Sequence, residues 1–140
     1  MNALTVTDIP PSTALELKTL ESYIKDVAEL PDPKGLKTEH FLYAGLYSRT
    51  LFMPKDTVII GALIKIPTVV TVSGHCFMTT GLKNVELKGY HVFKGSAGRR
   101  QGFIAVEDTY ITMSFATAAK TVEEAEEEFT AEFNQLITRR

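Results

Sequence analysis

The chain has 140 residues, enough for one domain with a sizeable core. A formal net charge of -2 argues against a general nucleic-acid binder, and the longest apolar run, Val58-Ile59-Ile60-Gly61-Ala62-Leu63-Ile64, is far shorter than the ~20 residues a membrane helix needs. A single cysteine, Cys76, excludes an intramolecular disulfide, and no basic-then-apolar leader opens the chain, so the expectation is a soluble cytoplasmic protein.

Met1 to Pro11 reads as an arm. Leu4, Val6 and Ile9 are spaced as in a strand, and Pro10-Pro11 ends it. Such an arm lies on its own domain or a neighbouring subunit, or stays disordered. Ser12 is the expected N-cap of a helix whose apolar positions are Ala14, Leu17, Leu20, Ile24, Val27 and Ala28. Lys18, Glu21, Lys25 and Glu29 occupy the opposite side, spaced for i,i+4 contacts. Pro31-Asp32-Pro33 stops the helix, because proline lacks an amide donor and restricts the residue before it. The apolar stripe predicts packing on the following sheet, with a dimer seam as the alternative use.

Lys34 to Thr38 leads into a region of short strands, predicted at 41–43, 46–53, 57–66, 68–73, 75–80, 84–87, 90–93, 103–106 and 109–116. Met53-Pro54-Lys55-Asp56-Thr57 is a turn. Gly74, Gly81, Gly89, Gly95 and Gly98 are expected between strands, where positive φ costs glycine little. This spacing predicts a barrel or sandwich, and the absence of intervening helices argues against a parallel α/β sheet. Thr121-Val122-Glu123-Glu124 is a capping box that opens a last helix. Its stripe is Val122, Ala125, Phe129, Phe133, Leu136 and Ile137. Glu123, Glu124, Glu126, Glu127 and Glu128 read as a solvated acidic face, with Arg139-Arg140 complementing the helix dipole at the far end.

Chemistry-bearing residues are few. Cys76 sits in an apolar segment and reads as a small buried hydrophobe rather than a nucleophile. Ser48, Ser73, Ser96 and Ser114 lack a nucleophile-elbow context. His40, His75 and His91 share no metal-ligand spacing and read as surface or hydrogen-bonded structural residues. Gly95-Ser96-Ala97-Gly98-Arg99-Arg100 can hold a phosphate or carboxylate on exposed amides and two guanidinium groups, or be a plain hairpin loop. Lys83, Lys88, Lys94, Arg99 and Arg100 concentrate positive charge opposite the acidic last helix, an asymmetry able to steer a partner. Tyr47, Tyr90, Phe93 and Phe103 fit a core better than a base-stacking platform. Glu107 and Asp108 point to opposite faces if they lie on a strand, so one of them is expected to ion-pair with Arg49 or Arg100.

From about Phe41 to Phe129 the chain resembles small phage-encoded proteins of the cupin-like, RmlC-type jelly-roll kind. The resemblance rests on Gly45-Leu46-Tyr47-Ser48-Arg49, Met53-Pro54-Lys55-Asp56-Thr57, Gly61, Ser73-Gly74, Gly98 and Glu107-Asp108-Thr109, in that order. It implies a mainly β fold: a double-stranded β-helix barrel, often dimeric through strands or arms. One domain would then comprise an N-terminal arm and helix over 1–37, the cupin-like barrel over 38–118 and a C-terminal amphipathic helix over 119–140. Cupin enzymes hold a metal through histidines and a carboxylate, and these relatives carry a His-Lys-x-x-His run. Here that run reads Ile64-Lys65-Ile66-Pro67-Thr68, and the second motif reads Gly98-Arg99-Arg100-Gln101. Ile64 and Thr68 are not ordinary transition-metal ligands, and a nearby arginine repels a metal. The resemblance therefore implies a lost metal centre and no cofactor.

The functional expectation is a non-enzymatic phage accessory protein, a homodimer acting as an interaction module on a host or virion protein, with Arg49, His75, Lys94, Arg99, Arg100 and Glu107 as the contact residues. The alternative is a small-molecule binder or metal-independent enzyme. It would hold an anionic or sugar-like ligand inside the barrel on Arg49, Arg99 and Arg100, with His75 or His91 as acid/base. A DNA mimic built on the acidic helix has less support, because only one helix is strongly acidic.

Overall fold

Alternation organises this molecule: along Thr68–Thr80 the residues Val70, Val72, Cys76 and Met78 are buried while Val69 and Ser73 are exposed. A period of two buries one face of a strand and leaves the other to solvent. The computed structural model describes residues 6–28, 34–80 and 82–139. Leu4, Glu29, the Pro31-Asp32-Pro33 stop, the Gly81 turn and Arg140 lie outside the described residues, as do the side chains of Val6, Lys25, Val27, Ala28 and Ile137.

The described strands are β1 (Val6–Ile9), β2 (Lys37–Tyr43), β3 (Leu46–Met53), β4 (Val58–Ile60), β5 (Thr68–Thr80), β6 (Lys83–Gly95), β7 (Gly102–Ala105) and β8 (Thr109–Ala116). The helices are α1 (Ala14–Ala28) and α2 (Val122–Phe129). The strands join in the order β1-β6-β5-β8-β3-β2, and β7 pairs with both β4 and β5. The result is a mainly β, cupin-like jelly-roll barrel flanked by two helices. The arm forms β1, which runs parallel to β6 on the chain's own sheet (Val6↔Val92 to Ile9↔Gly95).

Four sequence expectations need correction. The segments predicted at 68–73 and 75–80 are one strand, and so are 84–87 and 90–93. Gly74 and Gly89 face each other in the ladder instead of ending strands. Gly74 has φ +142, and a Cβ there would lie 2.6 Å from the Asp108 carbonyl oxygen. That close approach lets β5 change neighbours, pairing with β8 at Val69–Ser73 and with β7 at Cys76–Met78.

The strand predicted at 57–66 is only Val58–Ile60. Beyond it the backbone turns to the C-terminal segment, where Lys65 N donates to Phe129 O at 2.9 Å and Leu63 N to Glu132 Oε1 at 3.1 Å. The last helix stops at Phe129, because Thr130 is extended and its hydroxyl donates to Leu63 O at 2.7 Å. Two 3-10 turns, Phe133–Gln135 and Ile137–Arg139, follow. Finally, Thr13 rather than Ser12 caps α1, accepting from Glu16 N at 3.1 Å. The Ser12 hydroxyl instead bonds both backbone groups of Arg100, at 2.9 and 3.2 Å. α1 rests on β4 with Leu17, Leu20 and Ile24 half-buried.

The core has two parts. One is made mainly by strands, around Met53, Val70, Val72, Cys76, Met78 and Phe93. The other is completed by the C-terminal segment: Ala125, Phe129 and Leu136 close over Tyr47 and Phe115. Among the described residues no helix is long and apolar enough to cross a membrane.

Candidate functional site

The inner wall of β2 and β3 carries three polar side chains at alternate positions, His40, Tyr47 and Arg49. Tyr47 is 0% exposed, and its hydroxyl meets His40 Nδ1 at 2.7 Å. Burial raises the Tyr47 pKa, while burial and the neighbouring Arg49 charge lower that of His40, so both favour their neutral forms. Arg49 Nη1 donates to Glu126 Oε2 at 2.7 Å, and its guanidinium lies over the Phe129 ring at 5.6 Å.

Glu126 is 2% exposed, inside a helix whose Glu123, Glu124 and Glu127 face solvent and whose half-buried Glu128 accepts from Thr117 Oγ1. Thr138 Oγ1 donates to its Oε2 at 2.7 Å and Arg139 Nε to its Oε1 at 2.9 Å. Burial pushes this carboxyl up, but hydrogen bonds from Thr138, Arg49 and Arg139 outweigh it and hold the group below the usual carboxylate range. Arg139 also donates to the Glu123 carbonyl at 2.9 Å, so the end of the chain is tied back onto α2. Beside the cluster an open recess of roughly 440 Å³ is lined by His40, Val122, Glu123, Glu126, Thr138 and Arg139.

The six contact residues expected from sequence do not meet at one place. Arg49 belongs to the cluster above. Arg99 and Arg100 are both buried and diverge: Arg100 pairs with Glu132 at 2.5 Å, whereas Arg99 donates to Ser96 O at 2.9 Å and to Thr68 Oγ1. Arg99 is 3% exposed with no described carboxylate partner, and burial pulls its pKa down to about 10. Ile64 bridges to Arg99 in the backbone and Thr68 Oγ1 accepts from the Arg99 guanidinium, whereas Arg100 turns away to Glu132. Among the described residues no group of three or more His, Cys, Asp or Glu side chains is placed to hold a metal ion.

His75 pairs with Glu86 at 2.8 Å on the solvent side of the β5–β6 hairpin, and that bond lowers the Glu86 pKa. Lys94 is exposed on β6, and Glu107 is exposed before β8. The expected pairing of Glu107 or Asp108 with Arg49 or Arg100 is replaced. Glu126 and Glu132 take the two arginines, and Asp108 Oδ1 accepts from Lys55 N at 2.9 Å, closing the Pro54 turn. His91 bonds the Lys88 carbonyl at 2.8 Å, and burial pushes the Cys76 thiol up to about 11, which makes it inert at neutral pH.

The outer face of the same sheet differs in kind. Register aligns Ser48, Ser114 and Val69 in one row, Thr50, Thr112 and Thr71 in the next, and Phe52, Tyr110 and Ser73 in a third. Ser48–Ser114 and Thr50–Thr112 join hydroxyl to hydroxyl at 2.7 and 2.9 Å, and the Phe52 and Tyr110 rings lie 5.0 Å apart. Among the described residues, charge flanks this grid from Lys37 and Glu39 on β2, Lys88 and Lys94 on β6 and Asp8 on β1. Val69 and Tyr110 are 51% and 53% exposed, with Phe41, Tyr43 and Tyr90 exposed around them.

Sequence reading missed the Glu126 cluster and this grid. Both left signals: Glu126 falls on the Val122, Ala125, Phe129 stripe, where a carboxylate is out of place, and β8 alternates Thr112 and Ser114 with apolar residues while β3 spaces Ser48 and Thr50 two apart.

No family model and no curated protein matches the chain by sequence. Solved structures do match in shape. KdgF from Halomonas sp. superposes with a TM-score of 0.52 at 13% identity, over 65% of this chain and 86% of that one. A cupin superfamily protein from Desulfitobacterium hafniense DCB-2 gives 0.51 at 8% identity, over 81% and 98%. At such identity the likeness establishes the cupin fold and leaves function to the site.

Proposed function

We propose that the protein is a non-enzymatic interaction module, a cupin-fold scaffold that binds a protein partner through the outer face of its β2-β3-β8-β5-β6 sheet. One observation carries this reading: inner-wall polar groups are engaged inside the molecule, while a broad uncharged face with exposed Val69, Tyr90 and Tyr110 stays open. Aromatics with hydroxyl tips, ringed by charge at the margin, have the composition of an interface centre. The resemblance to phage-encoded cupin-like proteins favours an accessory role in the host cytoplasm, with a host or virion protein as partner. An uncharged centre also places no like charges together when the face meets a second copy, which fits a homodimer.

A ligand inside the barrel has less support, since Val70, Val72, Met78 and Phe93 fill one half and Phe115 and Phe129 the other. The test is quantitative capture of partners from host lysate by wild type, by Val69→Glu and by Tyr110→Glu. The reading expects both variants to fold and lose capture. Capture unchanged by both overturns it.

A further inference from the structure

We infer that the Arg49 corner of the barrel is a carboxylate-binding seat which the chain fills with its own Glu126, so that α2 serves as an intramolecular ligand that a small organic carboxylate can replace. The inference is independent of the outer sheet face and concerns the opposite side of the same strands.

Three features support it. First, Glu126 is held as a bound carboxylate would be. Its two oxygens accept from Arg49 Nη1, Thr138 Oγ1 and Arg139 Nε at 2.7, 2.7 and 2.9 Å, and the donors come from a barrel strand and from the end of the chain. Charged, multiply donated carboxylate contacts of this kind are the strong and specific ones.

Second, the charge balance of the seat depends on Glu126. Arg49 and Arg139 both pair with it, and Arg139 also pairs with the half-exposed Glu127 at 3.8 Å, so removing the Glu126 carboxylate leaves Arg49 without a described carboxylate partner, a place another carboxylate can take.

Third, the recess of roughly 440 Å³ opens onto these same groups, with Arg139, Thr138 and His40 on its walls beside the acids Glu123 and Glu126. The His40–Tyr47 pair adds a neutral donor and acceptor beside the charge. A carboxylate entering the recess meets Arg139 first, and it reaches Arg49 only by taking the place of Glu126. Its apparent affinity in wild type is therefore lowered by competition with a covalently tethered ligand.

The probe is sodium acetate, with sodium chloride at equal ionic strength as the control, read by thermal unfolding of the full chain. Glu126→Ala should melt lower than wild type and be restored by acetate along a saturable curve, with a half-saturating concentration at least about ten-fold below that of wild type. In Arg49→Met/Glu126→Ala the acetate response should vanish. Acetate acting on none of the three proteins, or on all three alike, overturns the inference. Should Glu126→Ala not fold, Glu126→Gln is titrated with acetate while the His40 imidazole resonances are followed by NMR. A saturable shift supports the seat, and no shift overturns it.

Discussion

The two halves of the core are built on different principles. Around Val72, Cys76 and Met78 the strands interlock by apolar side chains alone, and the sequence announces this through alternation. Around Tyr47 and Phe129 the core is closed by a segment from the end of the chain, and a buried carboxylate between two arginines holds that segment in place. The first half tolerates adjustment, because apolar contacts are many and individually small. The second depends on a few groups whose loss leaves charge buried without a partner. Stability in this molecule is therefore spread over one half and concentrated in the other.

The strongest way to break that contrast is Phe129→Ala. The ring is 1% exposed and joins Tyr47, Phe115 and the Arg49 guanidinium, so its removal should cost about 4 kcal/mol by denaturant unfolding. Glu126→Ala should follow at about 3 kcal/mol, since Arg49 and Arg139 lose their shared partner. Val72→Ala, a fully buried site in the strand-built half, should cost only about 2 kcal/mol. A Val72 effect larger than that of Glu126 would erase the distinction. Gly74→Ala probes the join between β5's two partners. Its Cβ would clash with the Asp108 carbonyl oxygen at 2.6 Å, so a loss of about 2 kcal/mol is expected by the same measurement.

Acid sharpens the comparison with a smaller effect. The His40 pKa lies below its ordinary 6.5 in the folded state, so the unfolded chain binds the proton first. Stability should fall as pH drops through 6.5 towards the folded pKa, and His40→Asn should remove that step. Glu126 has a folded pKa below 4.5, so its stabilisation is complete above that value and is lost as pH falls through the folded pKa. Chemical denaturation at a series of pH values separates the two steps, and a wild-type curve flat between pH 7 and 5 would contradict the His40 assignment.

Much of the scaffold was legible because it follows from period and punctuation. β3 and β8 fall where alternation placed them, at Leu46–Met53 and Thr109–Ala116, and the Thr121 cap opens α2. Errors arose where tertiary contacts override a local signal. Gly74 and Gly89 look like breaks but sit opposite each other inside one hairpin. The stripe through Phe133 and Leu136 looks helical, yet Thr130 and Glu132 bond the Leu63 backbone and divert the chain.

Of the site, Arg49, Arg99 and Arg100 were visible as candidates, but their partners were not. Glu126 of the Arg49 pair, Thr68 of the Arg99 pair and Glu132 of the Arg100 pair lie 77, 31 and 32 residues away, and pairing over such distances is set by how the sheet closes. A solvated acidic face was a sound expectation for Glu123, Glu124 and Glu127, and the single buried member of that run was masked by its neighbours.

A double-mutant cycle between Arg49 and Glu126 tests most directly whether the polar inner wall holds the C-terminal segment in place. The cycle comprises wild type, Arg49→Met, Glu126→Gln and the double variant, each unfolded in urea. The account predicts a coupling free energy of about 2 kcal/mol, with the double variant more stable than the sum of the single losses implies. Additivity within about 0.5 kcal/mol would contradict it.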